Sequence, residues 1–72
     1  MRTQATRTPK AKIVAMHKHL DEALGIWQSD VRPWAVASGV SEEDRDLLTD
    51  ALHRAVTFAA ALRQEAERKG PA

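Results

Sequence analysis

From residue 13 onward, apolar side chains return every three or four positions: Ile13, Met16, Leu20, Leu24 and Trp27 form one stripe, with Ala23 beside it. That is the period of an amphipathic helix. Thr8 and Pro9 stand just ahead of it, a cap residue followed by a proline whose missing N–H costs nothing at the first helical position. The spacing predicts a first helix over about residues 9–28, read through Gly25 because Trp27 stays in phase with the stripe. Asp30 as cap, Pro33 within the first turn and Gly39 as stop predict a short helix over about residues 31–38. Ser41, with Asp44 three positions on and acids crowding the positive end of the dipole, opens a long helix over about residues 42–69, which Gly70-Pro71 ends. The fold class is all-α, a helical hairpin with a short helix at its turn.

The long helix carries too much apolar surface for one neighbour. Leu47, Leu48, Ala51, Leu52, Ala55, Val56, Phe58, Ala59, Leu62 and Ala66 fill an arc of about 180° at 100° per residue. Within it Leu48, Leu52, Ala55, Ala59, Leu62 and Ala66 keep heptad spacing. One packed helix covers about 100°, so a further partner is expected, either a second copy that completes an antiparallel four-helix bundle or a different protein. The expected interface is Leu48, Leu52, Ala55, Val56, Phe58, Ala59, Leu62 and Ala66, with Trp34 as an added anchor. The competing arrangement is a monomer whose residues 31–38 fold over the face.

Charge changes the picture more than composition does. The net charge of the 72 residues is +1, yet residues 1–19 hold five cations and no acid, residues 20–53 sum to −6, and residues 54–72 to +2. Folded as a hairpin, the chain is basic at its open end and acidic at its turn, so two copies attract when antiparallel. Residues 1–8 are polar, basic and aperiodic, and are expected to form a mobile arm on a single helical domain covering residues 9–72. Arg2, Arg7, Lys10, Lys12 and Lys18 are the candidate contacts for a polyanion, which gives the alternative function of a nucleic-acid-binding accessory protein without sequence readout. The leading expectation is a non-enzymatic interaction module, accessory or regulatory in action.

Chemistry is otherwise sparse. The chain has no cysteine, which removes disulfides and thiolate metal sites. His17 and His19 are two apart and point about 200° apart on a helix, so they do not chelate together, while His17 and Asp21 share a face as half a site at most. Trp34 through Ser41 resembles the turn of a helix-turn-helix DNA reader, but the following helix opens with Glu42, Glu43, Asp44 and Asp46, which phosphates repel. No catalytic residue, metal ligand or cofactor contact is assigned. No apolar run approaches the roughly 18 residues of a membrane span, and a cytoplasmic protein is expected. Trp27 is expected to pack in the hairpin and Trp34 to pack or to anchor a partner.

Overall fold

The computed structural model describes residues 8–69 of the chain. Two antiparallel rods meet at a short turn. The first contains α1 (Lys10–Ile26), a widened π-turn (Trp27–Val31) and α2 (Arg32–Ala37); the second is α3 (Glu42–Arg68). Helix α1 begins at Lys10, one residue later than expected, and Thr8 supports it with its carbonyl, which accepts the Lys10 N–H at 2.9 Å, without a side-chain cap. Most of the basic arm, including Arg2 and Arg7, and the Gly70-Pro71 stop lie outside the described residues.

The short helix expected over residues 31–38 is α2 (Arg32–Ala37), but no break near residue 28 separates it from α1: the π-turn joins the two. Ile26, Trp27, Val31 and Arg32 all keep right-handed helical dihedrals. Asp30, expected as a cap, sits inside the π-turn. The physical reason is Pro33. A proline inside a helix lacks one donor and drives its ring against the carbonyl four residues earlier, here that of Ser29. One widened turn just ahead of it, in which the Arg32 N–H reaches back five residues to the Trp27 carbonyl, relieves the conflict without a loop. Ser29 also donates its hydroxyl to the Gly25 carbonyl at 2.7 Å, a local bond of the kind that bends helices. The competing fold, with residues 31–38 laid across α3, is thereby corrected: they prolong the first rod.

Gly39 stops that rod as expected. Its φ of +84° belongs to the left-handed region, and the Val40 and Gly39 N–H groups return to the Ala35 and Val36 carbonyls at 3.0 and 3.2 Å, the paired closure of a Schellman turn. Ser41 then caps α3, its hydroxyl accepting the Asp44 N–H at 3.1 Å. Glu42, Glu43 and Asp44 occupy the first turn and Arg68 the last, so both ends of α3 complement its dipole.

The two rods pack along one seam and bury little. Only Trp27, Ala35, Ala59 and Ala66 are buried among the described residues. Trp27 is the sole large side chain in that set, and its indole N–H donates to Thr49 Oγ1 at 2.8 Å. With extents of 49 × 24 × 14 Å, the molecule is a slab one helix thick. A slab has two faces, and among the described residues neither is covered by a third element.

Candidate interaction face

Helix α3 carries two heptad ladders. The inner one runs Arg45, Thr49, Leu52, Val56, Ala59, Arg63 and Ala66, all buried or half-buried toward the first rod. The outer one runs Asp44, Leu48, Ala51, Ala55, Phe58, Leu62 and Glu65, each one residue ahead of an inner member. One residue is a rotation of about 100°, so the outer ladder looks away from the hairpin seam. Its large members stay wet: Phe58 is 71% exposed, and Leu48 and Leu62 are both more than two-fifths exposed, as is neighbouring Leu47.

The side of the slab to which this ladder belongs follows from its neighbours. His17, Ala60, Arg63, Gln64 and Glu67 line one shallow hollow, with Arg63 Nη1 donating to His17 Nδ1 at 3.3 Å. Gln28 Nε2 donates to His53 Nε2 at 3.3 Å, and Gln28, Arg32, Pro33, Val36 and Arg45 line a second hollow. These groups mark the polar side. Met16 directly precedes His17, and Trp34 precedes the buried Ala35 just as Val36 follows it. By helical phase Met16 and Trp34 therefore fall on the opposite side, together with Leu48, Ala55 and Leu62. Trp34 is 62% exposed there.

The arrangement divides the residues expected at an interface. Ala59 and Ala66 are buried inside the hairpin, and Leu52 and Val56 belong to its inner ladder. Leu48, Ala55, Phe58, Leu62 and Trp34 remain on the free side. Sequence reasoning placed Met16 in the hairpin core and missed Arg45, Thr49 and Arg63 as seam residues, because apolar counting passes over polar letters. Their aliphatic stems and the Thr49 methyl line the seam while the polar ends find partners. Arg45 Nε donates to the Val40 carbonyl at 3.2 Å, and Thr49 donates to the Arg45 carbonyl at 2.9 Å.

Of the candidate polyanion contacts, Arg2 and Arg7 lie outside the described residues. Lys10, Lys12 and Lys18 are exposed, but they spread around α1 at angles of roughly 80–160° from one another, which gives no track for a phosphate backbone. His19 Nδ1 lies 3.4 Å from Glu22 Oε1. No group of three His, Cys, Asp or Glu residues is placed to hold a metal among the described residues. A hollow of about 520 Å³ opens between Glu42, Glu43, Asp46, Leu47 and Asp50, of which Asp50 is paired with Arg54. Exposed pairs such as Asp50–Arg54 at 3.0 Å and Arg63–Glu67 at 3.5 Å are one helical turn apart, each contributing about 0.3–0.5 kcal/mol. Among the described residues no helix is long and apolar enough to cross a membrane. Comparison with family models, curated proteins and solved structures finds no match to the chain.

Proposed function

We propose that the protein is a non-enzymatic helical interaction module, accessory or regulatory in action, that works through protein contacts on its apolar face and first assembles with a second copy into a four-helix bundle. The observation that carries the reading is the outer ladder of α3, with Phe58 71% exposed at its centre. Leu48, Phe58 and Leu62, left in water on one heptad ladder, have a cost that a packed neighbour removes, about 1.5–3 kcal/mol for each side chain fully buried.

Self-association is favoured by the thinness of the hairpin. Among the described residues only one tryptophan and three alanines are fully buried, and the rest of the apolar seam is half-buried, a small core for a chain of this size. A second slab laid on the apolar side supplies the missing layer. The face measures 49 × 24 Å in outline, on the order of 1,200 Å². Covering two-thirds of it on each copy gives the area of a standard stable interface, about 1,600 Å² in total.

Sedimentation or light scattering tests this directly. The wild-type chain is expected at twice its 8.0 kDa mass at micromolar concentration, and Phe58→Glu at one chain mass. A wild-type protein that is fully helical and single at those concentrations overturns the reading.

A further inference from the structure

Resting on that self-association, we infer that the two copies pack antiparallel with their turns at opposite ends, α3 on α3, about a two-fold axis at the level of Ala55 and Gly25. Trp34 of each copy then seats on Met16 of the other. The first argument is the pattern of the outer ladder. Read about Ala55, its apolar members are self-complementary: Leu48 meets Leu62 of the second copy, Ala51 meets Phe58, and Ala55 meets itself. The bulky ring lies over a small residue, and the two rods approach closely at the axis, as packed helices require. The ends of the ladder set Asp44 against Glu65 of the second copy, an acid already paired within its own helix by Arg68 and Lys69.

The second argument carries that axis over to the other rod. His17 stands level with Arg63, and Gln28 with His53, as their hydrogen bonds record. Level residues on the two rods therefore have numbers adding to about 80, so an axis at Ala55 crosses the first rod at Gly25. Residues of the first rod that oppose one another across that axis have numbers adding to about 50. On the apolar side this pairs Met16 with Trp34 of the second copy and Ala23 with Ile26. Thioether and indole make a favourable contact, and Met16, Ile26 and Trp34 are among the exposed apolar side chains of the first rod, with Val31 and Val36. The axis read from α3 thus also brings exposed apolar side chains of the first rod together.

The alternative, with both turns at one end, places α3 on α1 of the second copy. It lays Leu62 on His19 and brings together two sets of Asp30, Glu42, Glu43, Asp44, Asp46 and Asp50, a like-charge cluster that opposes association. The antiparallel arrangement instead sets each acidic turn beside the basic open end of the other copy.

Since the natural chain has no cysteine, single substitutions report the geometry cleanly. Under mild oxidation Ala55→Cys is expected to form a disulfide with its own copy, doubling the 8.0 kDa mass on a denaturing gel. Leu48→Cys mixed with Leu62→Cys is expected to cross-link, and neither alone. Circular dichroism and molar mass of the reduced variants show that fold and assembly persist. An Ala55→Cys protein that is dimeric in solution but cross-links only when mixed with Ala23→Cys overturns the antiparallel arrangement and leaves self-association standing. A reduced protein at single-chain mass overturns both.

Discussion

Trp27 is bonded to Thr49 across the hairpin, its indole N–H donating to the threonine hydroxyl at 2.8 Å. That hydroxyl in turn donates to the Arg45 carbonyl at 2.9 Å, so both its proton and a lone pair are used. The tryptophan is 6% exposed, and few other ties hold the rods together. Thr49→Val keeps the shape and removes the acceptor, leaving a buried N–H unpaired. A loss of about 1–3 kcal/mol is expected in urea unfolding. Thr49→Ser is expected to recover most of it, and a valine variant as stable as wild type contradicts the role of the bond.

The two described glycines call for opposite responses to alanine. Gly39 holds a φ of +84° in the turn, where a Cβ costs about 1–2 kcal/mol. Gly25 lies inside α1, and nothing stands within 4 Å of the Cβ it would gain, so Gly25→Ala is expected to add about 0.5–1 kcal/mol. Thermal unfolding of the pair tests the assignment: one midpoint falls and the other rises. Shifts of the same sign contradict it.

Much of this architecture is legible in the residue order, and what is not has a physical reason. Ser41 and Gly39 mark their boundaries because capping and left-handed closure are local matters. The width of the apolar arc on α3 also announces more surface than one neighbour covers. The division of that arc is not legible. It depends on which flank α1 chooses, and Arg45, Thr49 and Arg63 vote for the inner ladder with stems and hydroxyls that an apolar tally ignores. The joining of residues 31–38 to the first rod escapes for a different reason. Pro33 does open α2, but Asp30 lies within a π-turn that continues the first rod instead of capping a new one.

That π-turn makes a prediction of its own. A π-turn holds one residue more than an α-turn, so deleting Ser29 returns the rod to α pitch without rotating α2. The deletion alone presses the Pro33 ring against a carbonyl and is expected to cost about 3 kcal/mol. Combined with Pro33→Ala, the same deletion is expected to restore the wild-type melting temperature or exceed it. If the deletion is equally harmful in both backgrounds, Pro33 is not the cause of the widened turn.

The two ladders of α3 separate folding from assembly, and a pair of charge insertions tests the division. Leu52 belongs to the inner ladder, so Leu52→Asp buries a carboxylate between the rods, and loss of helical signal at every concentration is expected. Leu62 belongs to the outer ladder and is exposed in the single hairpin. Leu62→Asp leaves the inner seam intact and removes only the association. Its melting temperature is therefore expected to be low and independent of protein concentration. The wild-type midpoint, by mass action, is expected to climb as concentration rises a hundredfold. A wild-type midpoint that stays fixed over that range, with Leu62→Asp melting beside it, means that the outer ladder stabilises nothing in this protein's own assembly.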